Sequence, residues 1–566
     1  MTLQFPSSSR IISPFWMAFS ALSLSLAWLL PNHSQPWLSF HSDAWAALML
    51  LLVGGFVLVK ARFAVSWNAL SMLTALVCLV PLLQYATGQV ALFGVAWINF
   101  AYLLGFLVAL LAGSAWEARS PRQCGDYLFL AIMVAAAVSV GLQLTQFFQL
   151  QGFGPWILPP RGYRHFANMA QPNQLASLLI LAVLGCGWQF HFRRLPGAVA
   201  FVLAAWLLLG VALTESRTAW LNFSMIVLAV LIWRAKMPSR AFVLCVLALG
   251  VFYALCVLAL PYANHAVGGA EQTARSTSGD ARWLAWKMFL EAVLSRPWAG
   301  FGWGQLGHAQ FLMLDEKVLS GANFLQSHNL ILDLLLWNGV VLGSTIVLVL
   351  AFCCVQMVRR IREFPELVQA LFAAVLGLHA MLEFPLQYAY FLLPFGLVLG
   401  ALGQGGVTRR VHASAGARAL TGAAYLAAAA VLAVTISDYF KVESSLYGLR
   451  FQQQKIKSSF PVTPPDVLVL DQWRQYLELA RLEPRPGIPP EKIQAIRQLV
   501  STVPSAFGMS QLAAVLAMNG NPAEAALWLR RLCVVTPAQH CLIIKQQWRE
   551  KVDQNEAYAR VPWPVD

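Results

Sequence analysis

Apolar runs follow one another from residue 11 to residue 437, separated by short polar turns. A run of about 18–20 apolar residues matches a bilayer, since a helix rises 1.5 Å per residue through a hydrocarbon layer ~30 Å thick. The pattern predicts an all-α polytopic membrane protein of about thirteen transmembrane helices. These lie near 11–30, 44–60, 67–83, 94–114, 126–148, 174–190, 197–214, 219–233, 241–260, 330–356, 367–383, 387–403 and 419–437. The first run is too long for a signal peptide and lacks a small-residue cleavage site, so it is read as a span.

Two stretches depart from the pattern. Residues 261–329 form the only long polar stretch between spans, with Arg275, Arg282, Lys287, Arg296 and Lys317 and the run Ser295-Arg-Pro-Trp-Ala-Gly-Phe-Gly-Trp-Gly304. Loops of this length are functional or disordered, and the aromatics and glycines argue for function. At about residue 438 the composition becomes soluble-like, which divides the chain into a membrane domain, 1–437, and a tail, 438–566. Proline-rich breaks near 461–465 and 484–490 leave helical periodicity over 466–482, 491–503, 508–519 and 522–535. Residues 511–536 read as a tetratricopeptide-like helical hairpin, with its turn at Asn519-Gly-Asn-Pro522 and its end at Pro537.

Composition agrees with the spans: 58% of residues are hydrophobic and 11% charged, with a mean hydropathy of +0.62, against about 25% charged in soluble proteins. In a soluble protein the net charge of +14 would suggest nucleic acid, but its distribution argues otherwise. Basic turns (Lys60/Arg62, Arg119/Arg122, Arg193/Arg194, Arg234/Lys236/Arg240, Arg359/Arg360/Arg362, Arg409/Arg410/Arg418) alternate with turns poor in Lys and Arg. This positive-inside pattern predicts a cytoplasmic N-terminus. It places 31–43, 84–93, 149–173, 215–218, 261–329, 384–386 and the tail outside. An outside tail permits a disulfide between Cys533 and Cys541, while most other cysteines lie within spans as small buried groups.

Basic residues on the outer side need a reason other than topology. Arg161 and Arg164 stand in the loop 149–173, Arg217 in the short turn Thr214-Glu-Ser-Arg-Thr218, and Arg282 opens Arg-Trp-Leu-Ala-Trp286, whose spacing suggests a helix near the interface. A guanidinium stays charged and meets phosphate oxygens in two-point contacts, so several of them suit a diphosphate at the bilayer boundary. The alternative is snorkelling or local pairing, as of Arg217 with Glu215. His328 begins the tenth span, followed by Asn329 and Asp333. Imidazole can take a hydroxyl proton and return it, although a histidine at a helix start also serves as a structural hydrogen-bonding group. The amides of Asn173 and Gln174 suit a sugar, a phosphate or the loop's own backbone. His379 and Glu383 share a helix face, as a structural pair or as part of the site, and Tyr388 and Tyr390 are ligands or interfacial anchors. No phosphate loop and no carboxylate cluster suited to a divalent ion is present, so neither metal nor cofactor is expected.

These segments resemble the O-antigen ligase/polymerase superfamily, and within it the PglL-type protein O-oligosaccharyltransferases. Arg164-His-Phe-Ala-Asn-Met-Ala-Gln-Pro-Asn-Gln-Leu-Ala176 is similar to the first PglL signature. Arg282-x-x-x-Trp286, Pro297-x-x-Gly300-x-Gly302-x-Gly304 and Ser327-His-Asn329 resemble the ligase/polymerase core. His379-Ala-Met-Leu-Glu-Phe-Pro-Leu-Gln-Tyr388 ahead of the tail resembles the C-terminal PglL module. The resemblance implies a C-type glycosyltransferase that moves a glycan en bloc from undecaprenyl diphosphate to Ser or Thr of an exported protein such as a pilin. The reaction would take place on the periplasmic face of the bacterial inner membrane. It carries the essential histidine to His328, the signature glutamine to Gln174, the tyrosine to Tyr388 and the arginine motif to Arg217. The expected roles are catalytic for His328, Arg217 and Arg282, and substrate-binding for Gln174, Asn173, Arg161, Arg164, Tyr388 and Asn329. The chain departs from the ligase pattern at Leu342, where a small or aromatic residue is the rule. An O-antigen ligase acting on lipid A-core, an O-antigen polymerase and, in another class, a lipid-linked glycan transporter stand as alternatives. The absence of paired repeats weighs against the transporter.

Overall fold

The computed structural model describes residues 11–150, 152, 154, 156–157, 164–267, 278–313, 324, 326–404 and 413–563, with 278–282 described as backbone only. The fold is helical, and a helix lies on each of the thirteen apolar runs. Eight of these are long and apolar enough to cross a membrane: Phe40–Lys60, Ala69–Ala86, Phe93–Arg119, Gln123–Phe147, Pro172–His191, Arg240–Ala266, Leu330–Arg359 and Ala415–Gln453. The other five are apolar helices of 14–17 residues, Pro14–Leu29, Gly197–Leu213, Arg217–Ile232, Phe364–Ala380 and Ala389–Leu402. Leu244, Val251, Leu255 and Leu258 of the Arg240–Ala266 helix are more than half exposed. An apolar face of that kind is stable against lipid and not against water. The Ala415–Gln453 helix runs well past the predicted end of the last span, carrying the chain into the polar tail without a break.

The chain forms two compact units. One holds 1–75, 102–275 and 349–432; the other holds 76–101, 276–348 and 433–566. In the first unit the helix Ala389–Leu402 presses against Phe93–Arg119 so closely that a Cβ on Gly400 would sit 2.1 Å from the Leu110 carbonyl oxygen. Small residues at such seams let two backbones meet, which is how helices gain van der Waals contact in lipid. The turns of this unit fall into two sets. In one, Arg119 Nη2 donates to the Ala61 carbonyl (2.9 Å), Arg122 pairs with Glu363 (3.3 Å) and Arg194 Nη2 donates to Asp126 Oδ2 (2.6 Å). In the other, His33 Nε2 meets the Asn168 carbonyl (2.7 Å), Arg164 Nε donates to the Thr214 carbonyl (3.0 Å) and Asn173 bonds Glu383 (3.1 Å). The sets are those into which basic content sorted the turns.

The second unit joins the tail to the polar stretch 276–348. Phe311, on the short helix Leu306–Met313, stacks on Trp528 at 4.9 Å, and the Arg531 guanidinium covers its ring at 4.4 Å. His308 Nδ1 meets the Ser501 carbonyl at 3.0 Å, and burial pushes its pKa down. The tail core is built from Leu499, Met509, Leu512, Leu516, Leu529 and Leu532 on helices Pro490–Thr502, Ala506–Met518 and Pro522–Val535. Helices Ala506–Met518 and Pro522–Val535 are joined by a turn at Gly520 (φ +78°), and a disulfide joins Cys533 to Cys541.

The glycine run has a definite task in this unit. Helix Leu330–Arg359 breaks at Gly339 (φ 73°, ψ 178°), and Pro297–Gly304 packs into the break. Phe301 N–H donates to the Leu336 carbonyl (2.8 Å), Gly302 N–H to Trp337 (3.1 Å) and Val340 N–H to Pro297 (2.6 Å). Trp303 N–H donates to Gln84 Oε1 (2.8 Å), whose Nε2 donates to the Trp337 carbonyl (3.0 Å). The amides of 301–303 are therefore engaged by protein and do not face an anion. Gly300 and Gly339 meet at backbone distance: a Cβ on Gly300 would lie 2.5 Å from Gly339 N, and one on Gly339 2.5 Å from the Trp298 carbonyl oxygen.

Gly339→Ala should therefore cost about 3 kcal/mol, from a left-handed backbone plus a backbone clash. Thermal unfolding of detergent-solubilised protein should show a large drop for it and none for Gly416→Ala, where a Cβ meets open space. A second expectation concerns pH. Arg497 holds both carboxylate oxygens of Glu524 at 2.7 Å and so pulls its pKa below the ordinary 4.5. A depressed carboxylate contributes stability above its unfolded pKa and loses it as pH falls through the folded value. About 1 kcal/mol or less, after solvent screening, should disappear below pH ~4.5. The loss should be absent in Glu524→Gln, as followed by thermal unfolding across pH.

Candidate active site

In the first unit the signature stretch 164–174 is a buried loop whose backbone is satisfied by side chains. Gln146 Oε1 accepts from Phe166 N–H (3.0 Å) and Ala167 N–H (2.7 Å). Gln143 Nε2 donates to the carbonyls of His165 (2.9 Å) and Gly210 (3.0 Å). Buried non-helical backbone needs such internal partners. Ala167 and Ala170 take positive φ (52° and 58°), which bends the loop so that Pro172 can start the next helix. Gln171 caps that helix by accepting from Gln174 N–H at 2.9 Å. Burial lowers the His165 pKa, so the ring is held neutral inside the loop.

From this base the predicted residues come together. Arg164 donates to the Thr214 carbonyl and, through Nη2, to Asn173 Oδ1 (2.9 Å), while Asn173 Nδ2 donates to Glu383 Oε1 (3.1 Å). Gln174 Oε1 accepts from the Tyr390 hydroxyl (2.7 Å), and the Tyr390 ring lies 5.3 Å from that of Tyr388. One turn on, Ser177 Oγ meets His379 Nδ1 at 2.8 Å. Asn173 and Gln174 are buried, so they hold neighbouring groups in place, while Tyr388 is partly open.

Arg217 is exposed. It is the first residue of helix Arg217–Ile232, whose N-cap Ser216 accepts from Ala219 N–H. Among the described residues its side chain has no hydrogen bond or ion pair. It edges a groove of about 550 Å³ lined by Glu215, Trp220, Leu221, Val257 and Leu260. A guanidinium at a helix N-terminus attracts anions, and the apolar walls suit a lipid chain.

The second unit holds the histidine turn. His328 adopts φ +58° at the apex of Ser327-His-Asn329 and is half-buried. Asn329 Oδ1 accepts from Ile331 N–H (3.1 Å) and Leu332 N–H (3.2 Å), capping the next helix. Asp333 Oδ1 accepts from Ser327 N–H (3.0 Å), and Trp286 Nε1 donates to the Ser327 carbonyl (2.8 Å). The Phe324 ring meets the imidazole edge-on at 6.3 Å. Asp333 is in electrostatic reach of His328, and its hydrogen bond goes to the turn's backbone. Arg296 lies over the Phe301 ring at 4.7 Å. Helix Ser278–Ser295 carries Arg282 and Trp286, as their spacing suggests. The Arg282 side chain, and Arg161, Arg275 and Lys317 entirely, lie outside the described residues. Among the described residues no group of three His, Cys, Asp or Glu side chains is placed to hold a metal ion.

Asp43, Gln143 and Gln146 were not anticipated. The signal available for the glutamines was their i, i+3 spacing within an apolar run; for Asp43 it was a carboxylate at the edge of one.

Residues 200–347 match the O-antigen ligase family, and residues 367–551 match the family described as virulence factor membrane-bound polymerase, C-terminal. The chain is 28% identical over 529 residues to a general O-oligosaccharyltransferase of Acinetobacter baylyi, covering 89% of each chain. It is 25% identical over 394 residues to a ComP-specific O-oligosaccharyltransferase of the same organism, covering 67% of this chain and 69% of that one.

Removing the cap next to His328 tests the local geometry. Asn329→Ala should lower stability by about 1 kcal/mol, and Asn329→Asp by only a few tenths, read as shifts in thermal midpoint.

Proposed function

We propose that this chain, a member of the O-antigen ligase superfamily of the PglL-type protein O-oligosaccharyltransferase kind, transfers a glycan en bloc from undecaprenyl diphosphate to Ser or Thr of an exported, pilin-like protein. The similarity to two O-oligosaccharyltransferases over most of the chain carries this reading. The enzyme is a multi-pass protein of the bacterial inner membrane, with thirteen spans, a cytoplasmic N-terminus and a periplasmic tail from 438. The reaction is placed on the periplasmic face, where the loops 149–173 and 261–329 lie.

The acceptor hydroxyl oxygen attacks the anomeric carbon, the bond from that carbon to the diphosphate oxygen breaks, and the hydroxyl proton passes to the His328 imidazole. Charge builds on the leaving diphosphate, and Arg217 and Arg282, aided by Arg161, stabilise it by preorganised positive charge. The polyprenyl chain lies along the apolar groove beside Arg217. Tyr388 and Asn329 contact the substrates, and Arg164 and Asn173, bonded to each other, and Gln174, bonded to Tyr390, set the position of the groups that do. Neither metal nor cofactor takes part.

The O-antigen ligase match keeps a second reading in view, joining of the glycan to lipid A-core or to another lipid-linked repeat. Co-expression with a lipid-linked glycan pathway and a pilin separates the two: a mass shift on the pilin supports the protein acceptor, and extension of lipid-linked glycan without it supports the polymerase. With purified components, His328→Ala should cut turnover at least 100-fold in a stably inserted protein. Chelator should leave wild-type transfer unchanged; loss in chelator with recovery on adding manganese or magnesium would overturn the metal-free scheme.

A further inference from the structure

Helix Ala389–Leu402 begins without help from its own sequence, because its N-cap residue is Tyr388 and makes no side-chain cap bond. Phenol is a poor cap, and the first amides of a helix need an acceptor. Asp43 provides one from the start of a different helix. Its Oδ1 accepts from Ala389 N–H at 2.5 Å. Its Oδ2 accepts from the Ser39 hydroxyl (2.5 Å) and the Tyr102 hydroxyl (2.7 Å). The group is 4% exposed. It therefore has three donors and a fixed orientation. The residue it caps lies at the centre of the functional turn. Tyr390, 2% exposed, donates to Gln174, and the ring of Tyr388, the more open of the two tyrosines, lies 5.3 Å from that of Tyr390.

We propose that Asp43 is a positioning residue: by capping the Ala389–Leu402 helix from outside, it fixes the Tyr388-Ala389-Tyr390 turn and so sets the Tyr388 phenol beside the Tyr390 ring that bonds Gln174. The inference rests on the reading of Tyr388 as a substrate-contacting group. Asp43 touches no substrate and acts only through the turn. A carboxamide keeps one oxygen that can accept from the Ala389 amide, so asparagine preserves the cap while alanine removes it.

The test uses the full chain in nanodiscs, with Asp43→Ala and Asp43→Asn made in both wild-type and Tyr388→Phe backgrounds. Hydrogen exchange of residues 388–391 reads the cap without reference to activity. Asp43→Ala should speed that exchange at least tenfold, and Asp43→Asn should restore most of the protection. In transfer assays Asp43→Ala should lower kcat at least tenfold with the hydroxyl of Tyr388 present and less than twofold with it absent, since the two changes act on one group. Unchanged exchange in Asp43→Ala overturns the cap. Equal losses in both backgrounds, or undiminished transfer by Tyr388→Phe, overturn the action through Tyr388. A wild-type chain with no transfer to any pilin would sink the functional reading alone, and the exchange result would still decide the cap.

Discussion

A backbone amide or carbonyl at membrane depth has no water to bond, so every interruption of a helix must be closed by the chain itself. This protein interrupts its helices repeatedly, and several breaks among the described residues are closed by side chains remote in sequence. Asp43 closes the start of the Ala389–Leu402 helix, and Gln143 and Gln146 close the loop at 165–167. Gln84 bonds the Trp337 carbonyl beside the break at Gly339 and the Trp303 N–H packed into it. In the tail, Asp471 accepts from Gly94 N–H at 2.7 Å and so caps the Phe93–Arg119 helix. Polar groups are costly to bury alone, and each of these has a backbone partner supplied by the fold.

The same constraint sorts the polar residues by role. Arg164 donates to a carbonyl and an amide oxygen of its own unit, and Gln174 accepts from the Tyr390 hydroxyl. Such residues give a site its rigidity. Arg217 stands at a helix start beside an apolar groove, and His328 stands at the apex of a turn held by Asp333 and Asn329. Rigid support is the arrangement that transition-state charge stabilisation requires.

The helices were legible because bilayer-length apolar runs allow little else, and the grouping of turns was legible because basic residues sort by side. Motif residues such as Asn173, Gln174 and Tyr388 were also legible, although the burial of Asn173 and Gln174 was not. A sequence shows that an amide is available without showing whether the protein has already used it. Asp43 and the two glutamines were missed for a related reason: a single polar residue in or beside an apolar run carries no periodic signal. The glycine run was visible and its purpose was not, since Gly300 gains its meaning only from Gly339, which local pattern cannot pair with it.

The Gly300–Gly339 crossing also has a topological consequence. Backbone bonds from Phe301 to Leu336 and from Val340 to Pro297 close the intervening chain into a ring, and the histidine turn is a link of that ring. Closing a loop costs entropy that grows only slowly with its length. The clasp therefore does more than join two segments: by closing the ring it confines the histidine turn through chain connectivity as well as through the turn's own hydrogen bonds.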